Sequence, residues 1–302
     1  RDRRERAAMR LRHAWAMLLL GALAPAWARA QDTAPTAQPA ASPAGAATSA
    51  AGTAAPSASP QRTWQPDNRL TLGVDGAALT GTNGGGGGSI GYLLELNPDT
   101  LLGIGTEYQT LANAHWVFGS LSAAFSHALT TTTRWSLSAE GHEGYGTSGT
   151  HRFGYSIAAL GGGLTLPAGF AVTAEERQID VDTSHGSLPK VGVSRAWGTH
   201  WLTAVAYARS VGGNLGTEYS LARIDFYGRG FDLLGGGSVG RVAPAVLDIN
   251  GVLLAQAKPL TEVFFGVTKP LARVDLTLLG DQIDLSGIKR TTVTLTATVH
   301  FR

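Results

Sequence analysis

The sequence predicts an all-β protein: a transmembrane antiparallel up-and-down β-barrel of about 14 strands, behind a signal peptide and a disordered linker. Three observations predict it. The last stretch, residues 291–302 (TTVTLTATVHFR), alternates without a break, with Val293, Leu295, Ala297, Val299 and Phe301 on one face and Thr292, Thr294, Thr296, Thr298 and His300 on the other. Successive strand side chains point to opposite faces, so this strand has one apolar and one polar side. A long series of similar segments precedes it, and a removable leader opens the chain.

The leader comes first in order. Residues 1–12 are rich in arginine, residues 14–24 (AWAMLLLGALA) form a short apolar core, and Ala28-Arg29-Ala30 is a small-x-small cleavage pattern. Basic flank, short apolar core and small-residue exit make a secretory signal peptide over residues 1–30. The core is too short for a spanning helix, which needs about 20 apolar residues. Residues 31–66 are almost all Ala, Pro, Ser, Thr, Gln and Gly, with Pro35, Pro39, Pro43, Pro56 and Pro60 spread through them. Such a segment cannot bury enough apolar surface to offset its ordering entropy, so a disordered periplasmic linker is expected. The barrel is expected over residues 67–302.

Composition narrows the classes further. There is no cysteine, which excludes disulfides and thiolate metal sites. A pI near 9.0 suggests a nucleic-acid partner until the leader is set aside. Seven of the 24 basic residues but two of the 22 acidic ones lie in residues 1–30, leaving 17 basic and 20 acidic residues behind them. The mature chain is slightly acidic, and no nucleic-acid partner is expected.

Turn signals cut the rest into strands. The predicted pieces are 70–79, 89–96, 101–110, 115–127, 134–142, 152–166, 170–182, 189–197, 201–211, 217–227, 231–239, 261–268, 271–280 and the closing strand, with 12 strands if one hairpin merges. Short connections such as Asn97-Pro98-Asp99 and Lys269-Pro270 alternate with longer, glycine-rich ones. Short periplasmic turns and longer outer loops are the barrel rule, and an even count puts both termini on the periplasmic side. Trp135, Trp197, Trp201, Phe226 and Tyr227 sit beside predicted turns, where interfacial aromatic girdles occur.

Charge fixes which face is inside, because a charge against lipid near the midplane costs a few kcal/mol. The expected lumen-lining residues are Glu107, Arg134, Glu140, Arg177, Arg223, Asp225, Glu262, Arg273 and Asp275. Two roles stand open for them: paired networks that brace the wall, or the lining of a water-filled path. Bracing is favoured, since Ser, Thr, Gly and Ala dominate the rest of the inner face.

Other motifs are incomplete. Residues 235–240 (GGGSVG) match G-x-G-x-x-G, but no helix follows. The glycines at 84–88 lack the Lys-Ser/Thr of a phosphate loop. Asp180, Asp182 and Ser184 open like a calcium loop, yet the glycine falls late, at Gly186, and Val191 stands where the closing Glu belongs. Neighbouring Asp182, Ser184 and His185 do not make a hydrolytic triad by adjacency. No catalytic residue, metal site or cofactor is assigned, and no enzyme is expected.

Residues 169–301 resemble the YaiO-like family of bacterial outer-membrane barrels. The resemblance is carried by Gly169-Phe170 leading to Glu176-Arg177-Gln178-Ile179-Asp180, by Trp197-Gly198-Thr199-His200-Trp201-Leu202 with Tyr207 and Arg209, by Arg223-Ile224-Asp225-Phe226 and by the closing strand. It implies a single barrel in the outer membrane of a Gram-negative bacterium, in a group similar to barrels attached to exopolysaccharide secretion. A pore or export-associated channel is the expected function, with an exopolysaccharide or periplasmic partner. A plugged barrel for adhesion or envelope organisation is the alternative. Outer-membrane lipid and lipopolysaccharide are the expected surroundings. The terminal aromatic that such proteins present to the barrel assembly machinery corresponds to Phe301, here followed by Arg302.

Overall fold

The alternating segments pair edge to edge until no edge is left. A computed structural model of the chain describes residues 66–301, apart from 82–83, 113, 182–183, 229 and 243–257. The signal peptide and all but the last residue of the linker lie outside the described residues. The strands are β1 (Asn68–Leu79), β2 (Gly85–Asn97), β3 (Thr100–Leu111), β4 (Ala114–Ala128), β5 (Arg134–Ser148), β6 (His151–Thr165) and β7 (Phe170–Val181). They continue as β8 (Ser184–Trp197), β9 (Trp201–Arg209), β10 (Glu218–Tyr227), β11 (Asp232–Val242), β12 (Lys258–Pro270), β13 (Val274–Leu285) and β14 (Ile288–Phe301). Each pairs antiparallel with its sequence neighbours, and β1 closes the ring against β14 from Asn68↔Phe301 to Leu79↔Arg290. The predicted all-β, up-and-down barrel of 14 strands is the observed fold. Closure gives every strand a partner on both sides, which is what lets backbone sit in hydrocarbon.

The connections differ from the expected pattern. Four of the seven odd-to-even links are two residues long, at 112–113, 149–150, 182–183 and 286–287. The strands run further than the turn signals indicated. Gly85–Gly88 pair with β1 and β3, and the polar run at 184–188 opens β8. Glycine and serine lower strand propensity without removing the ladder hydrogen bonds, and neighbours on both sides supply those bonds.

Burial separates the two faces. On β14, Thr292, Thr294 and Thr296 are buried, while Val293 and Leu295 are exposed. The exposed apolar residues form an outer band, including Leu72 and Val74 of β1, Ile104 of β3, Val191 and Val193 of β8, Val263 and Phe265 of β12 and Leu276 and Leu278 of β13. Aromatic residues border it. At the end carrying the termini, Trp201 and Phe226 pack with ring centroids 4.7 Å apart, as do Phe125 and Trp135 at 5.3 Å. Arg195 also faces outward there, but its guanidinium lies 3.7 Å from the Trp197 ring and 4.8 Å from that of Phe170. A cation over aromatic faces, with its stem along apolar surface, suits an interface rather than a hydrocarbon midplane. Tyr108, Tyr145 and Tyr207 stand on the outer face toward the far end.

Inner-face glycines let side chains meet across an intervening strand. Phe118 of β4 and Tyr155 of β6 lie 5.6 Å apart, ring to ring, above Gly144 of β5, their shared register partner. A Cβ on Gly144 would collide with Phe118, and one on Gly146 with Trp116 and Phe153. Gly87 of β2 likewise makes room for Gln109 of β3 to donate to Asp75 Oδ1 of β1 at 2.7 Å. The abundance of glycine inside strands has this packing reason.

Candidate functional site

The candidate site is the inner wall, which changes character from one end to the other. The end carrying the termini is charged. Arg69 is buried there and donates to Asp67 Oδ2 at 2.9 Å, and His300 is bracketed by Asp67 at 3.1 Å through Nδ1 and by Asp275 at 3.0 Å through Nε2. These contacts tie the residue before β1 to β13 and β14 beside the seam. Arg134, at the start of β5, donates to Asp99 Oδ1 at 3.3 Å and to Ser126 Oγ at 2.6 Å.

Burial pushes the Asp67 carboxyl up, but Arg69 and His300 outweigh it, so the group is held below its ordinary value of 3.8. A depressed folded-state value stabilises the fold above the unfolded carboxylate value, and that contribution is lost as pH falls through the folded value. An acid titration of the folded barrel, followed by tryptophan fluorescence, is expected to show a loss of stability below about pH 4 that is smaller in Asp67→Asn. Identical acid profiles for the two proteins would count against this clasp.

The middle of the wall holds both signs of charge in contact. Glu175 Oε1 accepts from Arg177 at 3.1 Å and from Lys190 of β8 at 3.1 Å. Glu140 and His142 of β5 contact each other, and Glu140 feels the charges of Arg177 and Glu175 across β6. Glu107 accepts from Gln109 at 2.8 Å. Arg223 is paired with Asp225 at 2.6 Å, Ser238 donates to buried Glu262, and Arg290 lies 3.6 Å from Asp281. The sequence-predicted residues Glu107, Arg177, Asp225 and Glu262 are buried, and Glu140, Arg223 and Asp275 are half-buried. Arg273 departs from expectation: it lies exposed in the β12–β13 turn and not within a strand. The KP turn was expected to end at Pro270, but β12 extends through Pro270 and moves the turn onto residues 271–273.

The far half of the inner wall is largely apolar, against the expected alternation, although Gln109, Lys190 and Arg290 stand at the level of Trp116, Ala208 and Ile283. Leu111, Trp116, Phe153, Tyr155, Ile157, Ile179, Val181, Leu188, Ala208 and Leu215 form one buried cluster, with Ala77, Leu79, Ala114, Phe118 and Tyr219 packed against it. A second cluster of Val242, Leu260 and Ile283 shares Tyr219 with the first. Together they reach from β1 round to β13. Trp116 and Ile283 are each 2% exposed, so this section is filled by side chains. Toward the other end the lining is small and polar, with Ser136 buried and Ser138 exposed on the same inner face of β5.

The remaining motifs fall where they can do little. The GGGSVG run lies within β11 and is followed by no helix among the described residues. Asp180 is exposed on the outer face while Ser184 is buried, so the calcium-like spacing is split between two faces; Asp182 is outside the described residues. Phe301 ends β14, exposed on the outer face opposite Asn68.

No family model matches this chain, and no curated protein matches it. Among solved structures it is similar to the Pseudomonas putida toluene transporter TodX, with TM-score 0.50 at 11% identity over 78% of this chain and 90% of that one. This is the fold of an outer-membrane β-barrel. The Acinetobacter baumannii outer membrane protein Omp33 matches at TM-score 0.47 and 11% identity, over 78% of this chain and 99% of that one. Pseudomonas aeruginosa OpdQ matches at 0.41 and 7%, over 79% and 99%. At 11% identity the likeness to TodX carries the architecture alone.

Proposed function

We propose that this protein sits in the outer membrane of a Gram-negative bacterium, termini in the periplasm, and passes small hydrophobic solutes inward. One observation carries the reading: the outer half of the inner wall is apolar across most of the strands. A wall lining a water-filled pore has no need of Trp116, Phe153, Ile157 and Ile179 on its inner face. An apolar section desolvates a hydrophobic solute favourably and repels hydrated ions. TodX, whose described role is toluene transport, is similar in fold and supports the reading at that level. Lipid and lipopolysaccharide surround the apolar band, and β14 with Phe301 is the segment offered to the assembly machinery. Export of a hydrated exopolysaccharide draws no support from such a lining. No chemical step is part of the proposal.

Uptake of N-phenyl-1-naphthylamine, a neutral apolar fluorophore, by intact expressing cells tests this. Uptake is expected to exceed the vector control and to fall severalfold in Ile179→Asp, which puts a charge into the apolar section. Uptake equal to the control in cells with folded protein in the outer membrane would refute passage. The tight packing of the same cluster favours the second reading, a barrel closed for good that serves the envelope structurally. Fluorophore uptake above the vector control would remove that reading.

A further inference from the structure

The β9–β10 connection, residues 210–217, does not project from the barrel as a loop would. Its neck is closed by Ser210 N donating to Thr217 O at 2.7 Å and Thr217 N donating to Ser210 Oγ at 2.9 Å. Its tip lies on the start of β8. Val211 and Ser187 pair as an isolated antiparallel bridge, Asn214 N donates to His185 O at 2.9 Å, and His185 N donates back to Asn214 Oδ1 at 2.8 Å. Leu215 is thereby turned into the far-end cluster and is 0% exposed. Its Cγ and Cδ1 sit 3.1 Å from where a Cβ on Gly186 would stand, so that glycine forms part of its socket.

The residues flanking Leu215 are those that permit a change of path. Gly212, Gly213 and Gly216 hold φ of +69°, +63° and +57°, in the left-handed region where glycine carries no Cβ penalty. The contacts holding the tip down are backbone and amide hydrogen bonds at the rim, each of modest net strength. Within the far-end cluster Leu215 alone comes from a connection, the other members standing on strands, and its side chain is of the same apolar class as the proposed solute.

We infer that Leu215 is a latch: it occupies the apolar section of the outer mouth, and withdrawal of residues 212–216 on their glycines opens the passage. This rests on the passage reading above and supplies its regulation. A solute reaching the mouth competes with Leu215 for the same socket, so opening is coupled to arrival of apolar cargo.

The chain has no cysteine, so a disulfide can be placed without ambiguity. Hydrogen-bonded antiparallel partners have Cα atoms about 5.5 Å apart, within disulfide reach. Ser187→Cys with Val211→Cys therefore staples the tip to β8. Fluorophore uptake by expressing cells is expected to fall to the vector level when the pair is oxidised and to recover on reduction, and to rise severalfold in Leu215→Gly. Equal uptake in oxidised and reduced cells, both above the vector, overturns the latch and leaves passage standing. If no form exceeds the vector, passage itself fails, and accessibility then decides the latch. Ala208→Cys, in the same buried cluster, is expected to react with a membrane-impermeant maleimide at least tenfold faster in the Leu215→Gly background. Equal labelling rates overturn the latch without reference to transport.

Discussion

Glu175→Ala is expected to destabilise the folded barrel by about 3–5 kcal/mol, the usual cost of stranding a buried charge. Glu175 Oε1 is shared by Arg177 and Lys190, and all three side chains are at most 14% exposed. Removing the carboxylate leaves two like charges facing each other between β7 and β8, away from bulk water. The measurement is reversible urea unfolding in lipid vesicles. Replacing Glu175, Arg177 and Lys190 together with methionine is expected to recover most of the loss, because both cations leave with the carboxylate they share and Glu140 keeps its contact with His142. A loss below about 1 kcal/mol for the single change would mean that the trio is well hydrated and that the middle of the lumen is open water.

The second large effect lies on the opposite face. Val263 stands near the middle of β12, 61% exposed on the outer surface. Val263→Arg is expected to cost about 2–4 kcal/mol on the same assay, as for a charge at the bilayer midplane. Thr291→Arg, on the outer face near the far end of β14, is expected to cost about 0–1 kcal/mol, since the side chain reaches the interface. Equal costs at the two positions would deny the depth dependence that lipid imposes.

Much of the barrel was legible because alternation is a local signal. β14 repeats it without error, and the inward assignments of Glu107, Arg177 and Glu262 needed only the cost of a charge in hydrocarbon. What failed was the rule that apolar residues face out. It holds where the two faces meet different solvents and breaks where both meet apolar surroundings. The sequence carries a sign of the change. In β6, Phe153, Tyr155 and Ile157 share one parity, while Leu160 and Leu164 share the other. In β7, Phe170 and Val172 are even, and Ile179 and Val181 are odd. Each strand shifts its apolar phase partway along, and the shift marks where the lumen turns from polar to apolar.

Arg273 lies one residue before β13 and not inside it, because Lys269-Pro270 reads as a turn in sequence, whereas proline at a strand end costs the ladder little. The glycine-rich stretches read as loops because glycine punctuates most folds. Here glycine serves the packing of partners such as Phe118 over Gly144, a cross-strand relation that no single segment displays. Leu215 was hidden for the same reason: an isolated leucine between glycines carries no periodicity, and only the fold brings Gly186 beneath it.

Whether the outer surface of the closed barrel meets lipid can be measured directly, because the chain has no cysteine. Single cysteines placed at each position from Val293 to Val299 in β14, spin-labelled in protein folded into vesicles, report the environment of each side chain. Labels at 293, 295, 297 and 299 are expected to collide readily with oxygen dissolved in the bilayer, while those at 294, 296 and 298 are shielded. Labels with no alternation, or odd positions open to a water-soluble nickel chelate in place of oxygen, would contradict contact with lipid.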